Sequence, residues 1–264
     1  MNSLTRPTRI TLGINGAPTA AEHKAWDYTR LSTYTFCAAD PINSSDPTGE
    51  NYNVIFDEKN KTVTIAAKFF AFDGDADAAN KSASFWNGQS GHFTYKYNGT
   101  EYSVAFDLSV ETVSESIFSD RLASKPDVKS PEDVARLRNN TLQREMRSYT
   151  QLTGDQGVNT FMVTDDMTPF RDNTSMDVTG TTNSGISIVV DAKYADLRTP
   201  MHEMGHTLGL GHNQNGLMSP SQNDYTNFNK IYSGDIKIII RNAIKGKPAK
   251  YAGVSAGIGF PFWH

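Results

Sequence analysis

The sequence predicts an α+β fold, and three observations carry that reading. Segments near residues 52–56, 62–72, 92–97 and 102–108 alternate toward β structure. Stretches beginning near residues 75 and 130 open on helix-capping residues. A third helical stretch, from Pro200, carries two histidines four positions apart.

The elements can be justified in chain order. Residues 1–50 hold Pro, Asn, Thr and Ser throughout with only short apolar groups, and read as an appendage or linker to a domain over 51–264. Tyr52 to Phe56 and Thr62 to Phe72 form a hairpin across the polar residues 58–61. Asp75 to Trp86 is Ala-rich with an acid at its start, where the positive end of a helix dipole favours one. Asp73, Asp75 and Asp77 lack the full pattern of a calcium loop, and capping carboxylates are preferred over calcium ligands. His92 to Tyr97 and Tyr102 to Leu108 flank Asn98-Gly99, a hairpin turn pair.

A second helix opens at Ser130-Pro131-Glu132-Asp133, with an N-cap, a proline at the first helical position and acids in the first turn, and runs to about Ser148. Short strands follow at Thr160 to Val163 and Ile186 to Asp191. Thr199 is the expected N-cap of the next helix, from Pro200 to about Leu208. Ser233 to Ala243 carries Ile236, Ile238, Ile239 and Ile240 between charges and reads as a packing helix or, equally, a strand. The tail, Gly253 to His264, ends on Phe260, Phe262 and Trp263, and is expected to dock on the body. No internal repeat is visible.

The chemistry concentrates in residues 202–212, HEMGHTLGLGH. On a helix, positions i and i+4 share a face, so His202 and His206 can turn imidazole nitrogens toward one metal ion. Glu203, one step round, reaches a water on that ion. Gly209 can take the left-handed conformation that ends the helix and brings His212 back as a third ligand. Three protein ligands leave a fourth position open, as in catalytic zinc sites. Two helical histidines alone could be a solvated face; Gly209 and His212 argue against it.

The pattern H-E-x-x-H-x-x-G-x-x-H resembles the metzincin clan of zinc endopeptidases at all of its specified positions. The resemblance implies a mixed, mostly parallel twisted sheet, an active-site helix, a Met-turn and a C-terminal helix, with 132–147 as an extra element. It implies one catalytic Zn2+ on His202, His206 and His212, with Glu203 as the base that activates the zinc-bound water. Met218, in Gly216-Leu217-Met218-Ser219-Pro220, is the candidate methionine beneath the metal. Tyr225 is the candidate transition-state donor, although it stands outside the usual spacing. Ile186 to Val190 would be the strand nearest the cleft, able to pair with an extended substrate, or else an ordinary core strand. His23, His92 and His264 are read as incidental.

Composition narrows the partners. A net charge of −4 with scattered Lys and Arg gives no basic footprint for nucleic acid, and no apolar run could span a bilayer. The expected partner is a protein or peptide substrate, met by a monomer. Cys37 is the only cysteine, which excludes disulfides within the chain. It reads as a small buried hydrophobe; the other reading is a cap on the zinc that enforces latency. The opening residues lack the apolar core of a secretory signal. The expectation is a domain whose leader was removed, or one that travels with something larger.

Residues 34–50, YTFCAADPINSSDPTGE, resemble the closing segment of an Rhs/YD-repeat core, after which a variable C-terminal domain, often a toxin, begins. That resemblance implies a secreted effector delivered to a target cell, with an immunity protein or an Rhs shell as partner. Two other readings remain open: a free secreted protease for nutrition or host interaction, and a catalytically silent peptide-binding module.

Overall fold

A computed structural model describes residues 44–45, 52–155, 157–170, 179–183, 186–196, 198–213, 215–219 and 229–245. Among the described residues eight strands form one mixed sheet: β1 (Ser44–Ser45), β2 (Asn53–Asp57), β3 (Thr62–Phe72), β4 (Thr94–Tyr97), β5 (Thr100–Val113), β6 (Val158–Thr164), β7 (Gly180–Asn183) and β8 (Ser187–Asp191). The helices are α1 (Ala76–Asn87), α2 (Glu115–Ala123), α3 (Pro131–Thr153), α4 (Thr199–Thr207) and α5 (Ser233–Lys245).

The centre of the sheet is parallel. β3 pairs with β5 along its whole length, Thr62–Phe72 against Ser103–Val113, and on its other side Lys68–Ala71 pair with Val158–Phe161 of β6. β6 in turn pairs with β8. The edges are antiparallel: β4 on β5, β7 on β8, and β2 beside the first half of β3 with β1 outside it. Parallel neighbours need crossovers, and these lie on opposite faces: α1 between β3 and β5, α2 and α3 between β5 and β6.

Strand alternation then builds two cores. Val63, Ile65, Ala67, Phe69 and Ala71 of β3 face α1, α4 and α5, together with Trp86, Met204 and Met218. Phe70 and Phe72 point the other way, toward Phe118 of α2 and Leu142 and Met146 of α3. A residue-by-residue switch of face is what a period of two provides.

Several expectations are corrected here. The strand at 102–108 is longer, from Thr100 to Val113, because all of β3 is available to pair with it. The second helix continues past Ser148 to Thr153 and stops at Gly154, whose φ of +74° is left-handed. α2 and β7 escaped the sequence reading altogether. Thr199 is not an N-cap but the first helical residue; Arg198 precedes it with φ −68° and ψ −19°, so the chain enters the helix already coiled. Asp75 makes no capping hydrogen bond; its buried carboxylate instead accepts from Arg138 at 2.8 Å. Ile186 to Val190 lies one strand in from the edge, because β7 pairs outside it. Residues 233–245 are a helix: Ile236, Ile239, Ile240 and Ala243 are buried at helical spacing. Most of residues 34–50, Cys37, Tyr225, His23 and the tail Gly253 to His264 lie outside the described residues. No helix among those described is long and apolar enough to cross a membrane.

Candidate metal centre

α4 is short and almost wholly buried, and Trp86 of α1 fixes it from below by donating its indole N–H to the Met201 carbonyl at 3.1 Å. Its C-terminus is a Schellman turn. Leu210 N–H bonds to the Gly205 carbonyl, Gly209 N–H bonds to that of His206, and Gly209 has φ +86°. Asn242 of α5 donates to the Gly209 carbonyl, which ties the turn to the last helix. The chain then doubles back and presents His212.

The structure brings His202, His206 and His212 together. Their Nε2 atoms form a nearly equilateral triangle with sides of 3.1, 3.2 and 3.2 Å. Three nitrogens each about 2.0–2.1 Å from one tetrahedral ion would lie about 3.3 Å apart, so the triangle is close to a ligand set. The far side of two rings settles which nitrogen faces the cluster. His202 Nδ1 is 2.7 Å from the Leu217 carbonyl and His206 Nδ1 is 2.7 Å from the Leu210 carbonyl. A carbonyl only accepts, so both Nδ1 atoms carry the proton and both Nε2 lone pairs point inward. Burial pushes the His202 imidazole down to about 3 and that of His206 to about 4, so both rings are neutral at pH 7. Converging lone pairs repel unless a cation lies between them. These three histidines could hold a metal ion, and they are the one such cluster of His, Cys, Asp or Glu among the described residues.

Met218 sits directly against this helix. Gly216, with φ +72°, opens a turn closed by Ser219 N–H to the Gly216 carbonyl, and the turn places Met218 against Gly205. A Cβ at Gly205 would stand 2.5 Å from the Met218 sulfur and 3.2 Å from Trp86. The same turn supplies the Leu217 carbonyl that orients His202, so the methionine segment and the first histidine are set by one piece of backbone. Arg198 Nη2 donates to the Ser219 carbonyl and fastens the turn to the start of α4.

Glu203 is buried, and its carboxyl is pushed up to about 7 by that burial, with a hydrogen bond from Thr182 opposing the shift. Thr182 Oγ1 donates to Glu203 Oε2 at 2.6 Å. Gly180, two residues earlier on β7, faces the other oxygen: a Cβ there would come within 3.1 Å of Glu203 Oε1 and 2.6 Å of the Thr199 methyl.

Sequence reasoning named the histidines, Glu203 and Met218 but missed Gly180, Thr182, Arg198 and Gly205. For Gly205 a signal existed, a residue without a side chain inside the motif itself. For Thr182 there was none, because its contact with Glu203 spans 21 positions of chain. His92, read as incidental, is exposed and away from the cluster.

No protein-family model matches the chain, and no curated protein sequence does. Among solved structures it is similar to metalloproteinase-II from Bacteroides fragilis, with a TM-score of 0.40 and 12% identity over 70% of this chain and 54% of that one. It is also similar to a structure described as a chaperone-substrate complex, with a TM-score of 0.36 and 13% identity over 75% of this chain and 37% of that one. The chain therefore spans about half the length of the first and less of the second. Likeness at this level decides nothing about the reaction.

Proposed function

We propose that this protein is a zinc-dependent endopeptidase. The observation that carries the reading is the Nε2 triangle of His202, His206 and His212, with two of its rings committed through Nδ1 to backbone carbonyls. An all-imidazole set with one position left open suits Zn2+ and the chemistry of a hydrolase. When bound, such an ion polarises a carbonyl and makes water acidic enough to attack at neutral pH.

The chain's own residues supply the rest. Glu203 Oε1, the oxygen that Thr182 does not engage, takes a proton from the attacking water as its oxygen bonds to the peptide carbon. The same carboxyl then gives that proton to the leaving nitrogen as the C–N bond breaks. β7 is the outermost strand on this side of the sheet among the described residues and packs on α4, so it is the edge along which an extended peptide would pair. Met218 supports the floor of the site through its contact with Gly205.

Glu203→Gln tests the reading. The variant should bind one equivalent of zinc and lose hydrolysis of a general protein substrate by about 10²-fold or more. Retention of most of the activity would reject Glu203 as the base.

The delivered-toxin role rests on the segment Tyr34 to Glu50 and its resemblance to the end of an Rhs core. It predicts that expression in a bacterial cytoplasm stops growth and that the Glu203→Gln form does not. Equal growth of the two would count against an intracellular target, and would leave the free secreted protease and the catalytically silent peptide-binding module, which a protease assay on the wild type separates.

A further inference from the structure

We infer that β7 is a built seat for the Glu203 carboxyl, with Gly180 as the gap it fills and Thr182 as a positioning residue that fixes its rotation. The inference rests on the peptidase reading for its catalytic consequence, but the seat itself is a matter of geometry. Gly180 and Thr182 are two residues apart on a strand, so both face α4. Thr182 Oγ1 lies 2.6 Å from Glu203 Oε2 and 3.1 Å from the Glu203 backbone carbonyl, so both of its acceptors belong to that one residue. The threonine is 1% exposed, so bulk solvent does not compete for this contact.

A carboxyl has two oxygens and a broad, twofold torsion at its last bond, so a buried glutamate is not oriented by packing alone. A hydroxyl that donates to one oxygen removes this freedom and leaves the other to take a proton. Because Thr182 has a single proton and the 2.6 Å contact is the shorter, the donor belongs to Oε2. Oε1 is then the oxygen facing Gly180, where any side chain would crowd it. The edge strand thereby sets which oxygen is free. Threonine also suits a strand, because a β-branched side chain is stiff at χ1 and holds its hydroxyl in place.

Three variants test the seat: Thr182→Val, which keeps the shape and removes the hydroxyl; Thr182→Ser, which keeps the hydroxyl; and Gly180→Ala. Each is measured for kcat and KM on a peptide substrate, for zinc content, and by crystal structure. Thr182→Val should lower kcat by about 10- to 100-fold with KM and zinc content within about twofold, while Thr182→Ser recovers most of the loss. Gly180→Ala meets the Thr199 methyl at 2.6 Å before it crowds Glu203 at 3.0–3.1 Å, so it should move both side chains and lower kcat with zinc still bound. In the Thr182→Val crystal structure the Glu203 carboxyl should rotate or occupy two orientations.

A Thr182→Val variant with unchanged kcat and an unmoved carboxyl would overturn the inference. So would an equal fall for Val and Ser, which would mark a packing role. If the wild type shows no turnover that depends on Glu203, the peptidase reading fails, and the catalytic role of Thr182 with it. The seat would then be judged on the Thr182→Val crystal structure alone.

Discussion

The two faces of the sheet use buried polar groups for different ends. On the face that carries α4, polar atoms orient one another around a point: two Nδ1–H groups are spent on carbonyls so that Nε2 atoms converge, and Thr182 turns a carboxyl. On the face covered by α2 and α3, polar groups close on themselves. Arg138 donates to Asp75 at 2.8 Å, to both oxygens of Glu115 at 3.0 and 3.1 Å and to the Val163 carbonyl, and its guanidinium lies 4.6 Å from the centre of the Phe72 ring. One face leaves lone pairs aimed at a shared point; the other leaves the named donors of Arg138 engaged. Convergent lone pairs call for a ligand, whereas a closed ion-pair network calls for none.

The largest effect should come from breaking the convergent side. His206→Ala removes one corner of the histidine triangle, and zinc content measured after dialysis should fall to near zero together with peptidase activity. Melting of the α3 face should be little changed, since none of its contacts pass through His206. Zinc retained at full stoichiometry in this variant would mean that the triangle is not the binding site.

Next comes the closed network. Arg138→Met keeps an unbranched apolar stem and removes the guanidinium, leaving Asp75 buried without its cation. Removing one member of a buried pair costs about 3–5 kcal/mol, read as a fall in the denaturant midpoint. Zinc content and kcat of the folded fraction should stay near wild type, which would separate the two faces. A fall in zinc affinity as large as the fall in stability would show that they act as one.

How much of this contrast could be read from the sequence follows from how local each interaction is. The histidines of α4 and the turn at Gly209 lie within one short stretch, so spacing alone was enough to bring them together. Ser130 as an N-cap was legible for the same reason: its Oγ accepts from Asp133 N–H, three residues on. α2 was not, because its nine residues, ESIFSDRLA, bury only Phe118. β7 is four polar-to-small residues with no alternation to detect, and it is a strand because β8 offers an edge. Asp75 was misread as a cap because local acids do favour helix starts, while its actual partner stands 63 positions away. The isoleucine run of α5 fits two periods until a core is present to choose one.

A smaller effect should follow where the methionine turn meets α4. Gly205→Ala puts a methyl group into the space held by the Met218 sulfur, and overpacking of this kind costs about 1–3 kcal/mol. Because alanine favours a helix more than glycine does, a gain in stability would mean that Met218 swings away freely. The double variant Gly205→Ala with Met218→Ala should recover part of the loss if the clash is the cause. Calorimetry on the singles and the double reads this directly.

The smallest effect should sit on the closed face, at Lys68 and Tyr149. Lys68 Nζ donates to the Tyr149 hydroxyl at 2.7 Å and lies 4.6 Å from the centre of its ring, so Tyr149→Phe keeps the ring and removes one acceptor. A hydrogen bond to a charged group contributes about 1.5–3 kcal/mol when buried, and partial exposure here reduces that to about 1 kcal/mol or less. The hydrogen bond that Lys68 donates to the Tyr149 hydroxyl holds its ammonium above the ordinary lysine range. A folded-state value raised in this way gives stability that is complete below the unfolded pKa and is lost as pH rises through the folded one. The gap between wild type and Tyr149→Phe should therefore be constant from neutral pH to the ordinary lysine value, then shrink above it. A gap that widens with rising pH would show that the ammonium is not what the hydroxyl stabilises.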